Sequence, residues 1–242
     1  MTSPRSCHAP VVALDFDGVI CDSMNECMLV AYAAYTGTQA IPVAFVRYFR
    51  KYRHFVRPAQ EYWLIVEAYQ RGMEPVTEYE FNALAQECKE QVAQFESVYF
   101  QTRERLRSSD FKAWLKLHTM YPEFSEGWPL VERFAIPYIV TTRDRGSLKY
   151  LLESFGINIP AENWWTKERT RSKPEAILAI ARERNIRPAE ILFVDDHPEH
   201  LHDVAQTGAS VFWAAWGFWS SQNGFQEIGT IKELMQRLEI DE

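Results

Sequence analysis

Three runs of consecutive apolar residues divide the chain, and each ends in oxygen-bearing side chains. They are VVALDF at 11–16, PYIVTT at 137–142 and ILFVDD at 191–196. Apolar and polar residues do not alternate within these runs, a pattern typical of parallel strands covered on both faces. Because the carboxyl ends of parallel strands meet at one edge of a sheet, we expect the three polar endings to face one crevice.

Two segments with helical periodicity lie between the second and third of these strands. Apolar residues recur every three or four positions in GSLKYLLESFG, residues 146–156, and in KPEAILAIARERN, residues 173–185. Strands and helices therefore alternate from about residue 127 onward, which indicates an α/β fold. We predict a Rossmann-like core built on a doubly wound parallel sheet.

The segment between residues 23 and 125 lacks a convincing strand pattern. The stretch TEYEFNALAQECKEQVAQFESVYFQTRERL predicts one long helix, opened by a capping box of Thr77 and Glu80. A second helix is predicted in RPAQEYWLIVEAYQRG, with Pro58 at its start and Gly72 just past its end. The pattern is that of a helical domain inserted after the first strand.

Length and charge limit the possible domain arrangements and functions. The chain has 242 residues, which is enough for a core domain with an insertion. We expect a core domain of residues 1–22 and 126–242, and an all-helical cap domain of residues 23–125. The net charge of −7 argues against a general nucleic-acid-binding protein, which must neutralise phosphates over a broad surface.

Neither a secretion signal nor a membrane segment is predicted. The first ten residues contain no apolar stretch, and the run VFWAAWGFW is too short to span a bilayer. The cysteines show no metal-type spacing, so we expect reduced thiols and a cytoplasmic protein. The sequence leaves the oligomeric state open. The cysteines are Cys7, Cys21, Cys27 and Cys88.

Two aspartates, Asp15 and Asp17, stand where the first apolar run ends. Carboxylates so close together repel each other and resist the loss of water, so their position at the edge of a core requires a reason. A divalent cation would remove the repulsion between them. The alternative is a pair of solvated aspartates in a turn.

The other polar endings add Thr141 after the second strand, and Asp195 and Asp196 after the third. Two adjacent carboxylates at a strand end again favour a metal site. Pro174 places Lys173 at the start of a helix, where the helix dipole disfavours a positive charge. This unfavourable position indicates that a nearby anion binds the lysine. Taken singly, each residue is also explained by a solvated strand end or helix start.

The order of these motifs is more specific than any one of them. D-x-D, threonine, Lys-Pro and Asp-Asp follow one another, with a helical insertion after the first motif. This arrangement resembles the haloacid dehalogenase (HAD) superfamily, and within it the phosphoglycolate-phosphatase-like branch. The resemblance covers residues 10–23 and about 126–220, including GASVFWAAWGF, which is similar to the closing strand of that branch. For the cap, only the position and the helical character match.

The resemblance implies that Asp15 is a nucleophile that attacks phosphorus and that Asp17 is a general acid and base. It implies that Thr141 holds a phosphoryl oxygen and that Lys173 offsets the negative charge of Asp15 and the substrate. Asp17 must carry a proton to serve a leaving group, so we expect surroundings that favour its protonated form. The dehalogenases of the superfamily lack this aspartate, so dehalogenation is rejected.

The cofactor implied by the resemblance is Mg²⁺. Its ligands would be Asp15, the backbone carbonyl of Asp17, and Asp196 with help from Asp195. His200 is a departure, because the family often has an acidic residue at this position. Either Asp195 makes up the loss, or the surroundings of the metal are built differently.

The function implied is therefore that of a Mg²⁺-dependent phosphatase that hydrolyses a small phosphorylated metabolite through an aspartyl-phosphate. A phosphotransferase or sugar-phosphate mutase would use the same nucleophile and would differ in keeping water out. A non-catalytic binding protein on the same fold is the alternative from another class. The intact set of motifs argues against that alternative.

A basic segment without acidic residues, 27–60, lies in the expected cap. Helical spacing places Arg47, Arg50, His54 and Arg57 on one face of AFVRYFRKYRHFVRP. This face is either a solvated basic surface or, if it closes over the crevice, a grip on a second anionic group of the substrate. Further candidates for substrate contact lie beside Asp17 and Thr141 in the core: Gly18, Thr142 and Arg143.

Overall fold

The structure is a computed structural model that describes residues 9–74, 76–219 and 224–240. The chain divides into two compact units. The first unit comprises Met1–Cys21 and Met120–Glu242, and the second comprises Asp22–Thr119. None of the helices in the described ranges has the length and apolar character needed to cross a membrane.

The strands form two sheets. A six-stranded sheet has the order β5-β4-β1-β6-β7-β8, and every neighbouring pair in it is parallel. The short strands β2 and β3 form a second sheet. In chain order the strands are β1 Val11–Leu14, β2 Cys21–Asp22, β3 Thr119–Met120, β4 Ile136–Val140, β5 Trp164–Trp165, β6 Ile191–Asp195, β7 Ser210–Ala214 and β8 Gln226–Ile228.

The α-helices account for most of the remaining regular structure. In chain order they are α1 Met24–Thr36, α2 Val43–Tyr52, α3 Tyr62–Gln70, α4 Glu78–Glu87, α5 Lys89–Ser109, α6 Phe111–Leu115, α7 Pro122–Ser125, α8 Trp128–Phe134, α9 Arg145–Phe155, α10 Lys173–Arg184, α11 Pro198–Ala205 and α12 Ile231–Ile240.

The three strands predicted from apolar runs are β1, β4 and β6, and they are adjacent in the sheet. Val11 at the start of β1 is in register with Ile136 of β4 and with Ile191 of β6. All four residues of β1 are buried, as expected for a strand covered on both faces. The predicted fold class, an α/β fold with a parallel sheet, is therefore confirmed.

Local sequence signals fix the helices that follow these strands. Asp144 caps α9 by accepting the backbone N–H of Ser147 at 2.8 Å. Ser172 caps α10 by accepting the N–H of Glu175 at 3.3 Å, so Lys173 is the first residue of this helix. The apolar face of α10 packs into the core that contains β1 and β6.

The second unit ends at Thr119, before the expected domain boundary at residue 125. The backbone N–H of Tyr121 donates to the carbonyl of Ile20 at 3.0 Å, which ties this segment to the first unit. Helices α7 and α8 pack against α12. At Gly127 an added Cβ would lie 2.4 Å from the backbone nitrogen of Lys232, so a close backbone approach fixes this contact.

The second unit is helical between Met24 and Leu115 in the part that the structure describes. The capping box predicted from Thr77 and Glu80 is confirmed. The single long helix predicted after it is wrong, because Cys88 breaks the pattern into α4 and α5 with φ −106° and ψ 26°. Cys88 is buried, and its Sγ lies 3.5 Å from Nη2 of Arg71, so tertiary packing overrides the local helical pattern.

The basic segment is not one continuous helical face. Helix α2 ends at Tyr52, a 3-10 turn spans Arg53–Phe55, and Arg57 lies beyond that turn. The turn places Arg53 inside the unit, where its Nη1 donates to the carbonyl of Val56 at 3.0 Å. Arg47 and Arg50 are therefore exposed on α2, whereas His54 and Arg57 belong to a different local structure.

A buried ion pair joins α1 to α5 within the second unit. Nε and Nη2 of Arg103 donate to the two carboxylate oxygens of Glu26 at 2.7 and 2.9 Å. Nε1 of Trp114 lies 3.4 Å from Oε1 of Glu26, so α6 also contacts the pair. Two buried charges are tolerated here because each satisfies the hydrogen-bonding groups of the other.

Removing the guanidinium of this pair should destabilise the protein strongly. We expect Arg103→Met to lower the free energy of unfolding by about 3–5 kcal/mol, because it leaves the carboxylate of Glu26 buried without its cation. Arg105→Met, an exposed position on the same helix, is the matched control and should change it by less than about 0.5 kcal/mol. Urea unfolding measures both, and equal values for the two variants would contradict the importance of the pair.

Candidate active site

Four elements of the first unit bring their polar residues to one place. Asp15 follows β1, Thr141 follows β4, Asp195 ends β6 and Lys173 begins α10. Backbone hydrogen bonds continue past the strand ends: the N–H of Asp15 donates to Val194, and the N–H of Thr141 donates to Trp165, each at 2.9 Å. The polar residues therefore stand on rigid backbone at the carboxyl edge of the sheet.

The ammonium of Lys173 lies between two carboxylates. Its Nζ is 3.0 Å from Oδ2 of Asp15 and 2.6 Å from Oδ2 of Asp195. All three side chains are buried, with Asp15 only 6% exposed. The anion inferred from the unfavourable position of Lys173 on its helix is thus a pair of aspartates.

Burial and mutual attraction set the ionisation of this group. Burial raises the pKa of Asp15 to about 6, against the opposing effect of the Lys173 ammonium. Burial also disfavours the charged form of Asp195, but Lys173 and His200 outweigh it and hold the pKa of Asp195 below its usual range. For Lys173, burial lowers the pKa, but the two aspartates outweigh it and raise the pKa above its usual range.

The second oxygen of Asp195 contacts the start of α11. Oδ1 accepts the backbone N–H of His197 at 2.9 Å and lies 3.3 Å from Nδ1 of His200. His200, which stands where the family often has an acidic residue, therefore contacts Asp195. This hydrogen bond was not predicted from the sequence.

Asp196 points to a different set of partners. Its Oδ2 accepts the backbone N–H of Phe218 at 2.6 Å, and its backbone carbonyl accepts Nε1–H of Trp213 at 3.1 Å. Gly18 has a φ of +95°, and a Cβ added there would lie 2.5 Å from the carboxylate of Asp196. A Cβ on Gly217 would lie 2.2 Å from that of Asp196, so the two glycines form a cradle around this aspartate.

Asp17 is paired with Arg143. Nε of Arg143 is 2.9 Å from Oδ2 and 3.1 Å from Oδ1 of Asp17, and Nη2 is 2.7 Å from Oδ1. Arg143, a candidate for substrate contact in the sequence, is 1% exposed. The expected surroundings that favour the protonated form of Asp17 stay a prediction.

The remaining sequence candidates fall into two groups. In the first unit Thr141 is buried and Thr142 is exposed, and Oγ1 of Thr141 accepts the backbone N–H of Arg143 at 3.2 Å. The candidates in the second unit are Arg47, Arg50, His54 and Arg57. Nη2 of Arg50 donates to Oδ1 of Asn25 at 2.8 Å.

The carboxylate-rich end of the sheet can hold a metal ion. Asp15, Asp195 and His200 each offer one ligand atom, and these atoms all lie within 4.8 Å of one another. Two of the three donors are carboxylate oxygens, which suit a hard divalent cation. The glycine cradle keeps a third carboxylate, that of Asp196, close to the backbone of residue 18. The residues present therefore fit a divalent cation.

Sequence reasoning missed the contribution of the segment after β7. Gly217 and the backbone N–H of Phe218 contact Asp196, yet the sequence showed them only as part of the W-G-F stretch. A glycine between two bulky aromatic residues was the available signal, because such a position permits a close approach of backbone to a neighbour.

Comparison with known proteins identifies the family. A family model described as haloacid dehalogenase-like hydrolase matches residues 9–201. No curated protein matches the chain.

Several solved structures share the fold over nearly the whole chain. A predicted phosphatase from Clostridium acetobutylicum is 14% identical, with a TM-score of 0.65 over 96% of this chain and 99% of that one. A predicted phosphoglycolate phosphatase from Haemophilus somnus is 16% identical, with a TM-score of 0.63 over 97% and 98%. A haloacid dehalogenase-like family hydrolase from Streptococcus pneumoniae is 13% identical, with a TM-score of 0.60 over 95% and 98%.

At such low identities these structures show a common fold and nothing finer. The family model is the stronger observation, because it spans β1 with Asp15, the lysine that begins α10, and β6 with its two aspartates. On these grounds the chain belongs to the haloacid dehalogenase-like hydrolases.

Proposed function

We propose that this hydrolase is a phosphatase that cleaves phosphate monoesters of a small metabolite through an aspartyl-phosphate on Asp15. The observation that carries the proposal is the buried carboxylate of Asp15 at the end of β1, with the ammonium of Lys173 at 3.0 Å. A carboxylate oxygen held on rigid backbone beside a fixed cation suits in-line attack on phosphorus.

Each of the core residues has a distinct role in this proposal. Asp15 forms the bond to phosphorus, and Lys173 balances the charge that the phosphoryl group brings into the buried site. Thr141, through its hydroxyl, holds a phosphoryl oxygen. Gly18, which follows β1, and Thr142, which follows β4, are also proposed to contact the substrate.

Asp17 is proposed to move the protons. In the first half-reaction it gives a proton to the leaving oxygen, and in the second it takes a proton from the attacking water. The contact between Asp17 and Arg143 supports this role because it holds the carboxylate in a fixed orientation.

The cofactor of this proposal is Mg²⁺. Asp15, the backbone carbonyl of Asp17 and Asp196 would hold it, with Asp195 completing the acidic surroundings. When bound, the cation neutralises charge on the nucleophile and the phosphoryl oxygens. The two carboxylates in the group of possible ligands, Asp15 and Asp195 beside His200, support this choice.

The second unit is proposed to act as a cap that selects the substrate. Its boundaries in the structure, Asp22–Thr119, are close to the expected cap of residues 23–125. The buried thiols of the unit agree with the cytoplasmic location expected from the sequence. Phosphate release over a panel of phosphorylated metabolites, with Mg²⁺ and with a chelator, tests the proposed function. Release from no member of the panel, or release that persists with a chelator, would contradict it.

If the exposed arginines of α2 bind a second anionic group of the substrate, neutralising one of them should impair selected substrates only. We expect Arg50→Gln to lower kcat/KM about ten- to hundredfold for a phosphorylated acid, because it removes a charge-assisted hydrogen bond. The effect on p-nitrophenyl phosphate, which has no second anionic group, should be small. Lys51→Gln on the same helix, where Lys51 pairs with Glu74, is the matched control. Equal losses on both substrates would contradict this role.

A further inference from the structure

The guanidinium of Arg143 fixes the carboxylate of Asp17 more firmly than a surface ion pair would. Three N–H···O contacts of 2.7–3.1 Å join the two groups, so the planes of guanidinium and carboxylate are held together. The guanidinium carbon lies 5.5 Å from the centre of the Phe16 ring. Arg143 is buried, whereas the side chain of Asp17 keeps 18% of its surface exposed.

The backbone that carries Arg143 is itself anchored on both sides. The N–H of Arg143 donates to Oγ1 of Thr141 at 3.2 Å. The next residue, Asp144, caps α9 through the N–H of Ser147. The guanidinium therefore extends from a fixed point, and its contacts determine where the Asp17 carboxylate lies.

We propose that Arg143 is a positioning residue that orients Asp17 for proton transfer, and that it does not read the substrate. This inference rests on the proposed phosphatase function. The geometry favours it because three hydrogen bonds from the guanidinium end on the carboxylate of Asp17, which stands two residues after the nucleophile. A displacement of about 1 Å of a reacting group can cost roughly a hundredfold in rate, so fixing this carboxylate matters.

The two half-reactions depend on Asp17 in different ways. In the first, an oxygen of Asp15 bonds to phosphorus, the bond from phosphorus to the leaving oxygen breaks, and that oxygen takes the proton of Asp17. In the second, a water oxygen bonds to phosphorus, the bond to Asp15 breaks, and Asp17 takes a proton from the water. A stable leaving group such as p-nitrophenolate needs no proton, so only the second half-reaction then requires Asp17.

The test compares Arg143→Met with Asp17→Asn on p-nitrophenyl phosphate and on a simple alkyl phosphate. We expect Arg143→Met to lower kcat roughly ten- to hundredfold on both substrates. KM should rise on neither substrate, and it should fall on p-nitrophenyl phosphate, because the slowed second half-reaction lets the covalent intermediate accumulate. Rapid mixing with p-nitrophenyl phosphate should still show a burst of p-nitrophenolate, because the first half-reaction survives. The alkyl phosphate should give no burst of the released alcohol, because its first half-reaction still needs the proton of Asp17.

A double variant separates positioning from substrate binding. If Arg143 acts through Asp17, adding Arg143→Met to Asp17→Asn should cause little further loss, since the group to be oriented is gone. Arg143→Lys keeps a positive charge without the two-pronged contact, and should resemble Arg143→Met. It also serves as the test variant if the methionine variant fails to fold, as judged by circular dichroism.

Three results would overturn the inference. A raised KM for both substrates, with full further loss in the double variant, would make Arg143 a substrate ligand. Loss of the burst together with equal losses on all substrates would make its role merely structural. Absence of any turnover by the unaltered protein would contradict the proposed function and the inference with it.

Discussion

Replacing Asp15 with asparagine should abolish turnover of every phosphate monoester while the protein stays folded. The neutral amide of asparagine is too weak a nucleophile to attack phosphorus, so no covalent intermediate arises. Steady-state phosphate release in the presence of Mg²⁺ measures the loss. Full activity in this variant would contradict the assignment of the nucleophile.

The same substitution should also change how stability depends on pH when a chelator is present. The pKa of Asp15 is raised from 3.8 to about 6 in the folded protein. A raised pKa means that this carboxyl favours the folded state fully below pH 3.8 and loses that contribution as pH rises through 6. The asparagine variant lacks this loss, so its stability relative to the unaltered protein should grow between about pH 4 and 6 and level off above. A constant difference would contradict it.

Replacing Lys173 with methionine should remove activity and destabilise the protein together. Lys173→Met leaves the buried carboxylates of Asp15 and Asp195 without the ammonium that lies between them. Breaking a buried charge pair in this way costs about 3–5 kcal/mol of stability. Urea unfolding in a chelating buffer and phosphate release in Mg²⁺ measure the two effects.

The same exchange at an exposed lysine is the matched control for that experiment. Lys149 pairs with Glu153 one helical turn away, and its side chain is 59% exposed. Lys149→Met should therefore change stability by at most about 0.5 kcal/mol and leave turnover intact. Comparable stability losses in the two variants would contradict the importance of the buried contacts of Lys173.

The core of the fold was predictable because a strand that is buried on both faces has a simple sequence pattern. Short apolar runs without alternation identified β1, β4 and β6, and their polar endings identified Asp15, Thr141 and Asp195. The strands β5 and β8 were not predicted. Each has only two or three residues, which is too few for a pattern to be distinguished from a loop.

Contacts between distant parts of the chain were beyond the reach of local patterns. The break at Cys88 and the end of α2 at Tyr52 carry neither proline nor glycine, and tertiary packing decides both. The contact of Arg143 with Asp17 joins residues on separate strand ends, so no spacing along the chain reveals it. The same holds for Phe218, whose backbone N–H binds Asp196.

The most direct test of the central claim is to trap the covalent intermediate. The Asp17→Asn variant, mixed with p-nitrophenyl phosphate and Mg²⁺ and then quenched in acid, should gain the mass of one phosphoryl group. Reduction of the acyl phosphate with borohydride, followed by peptide mass spectrometry, locates the modified residue. The account predicts modification at Asp15 alone. Label on another residue, or a burst of p-nitrophenolate without any covalent label, would contradict it.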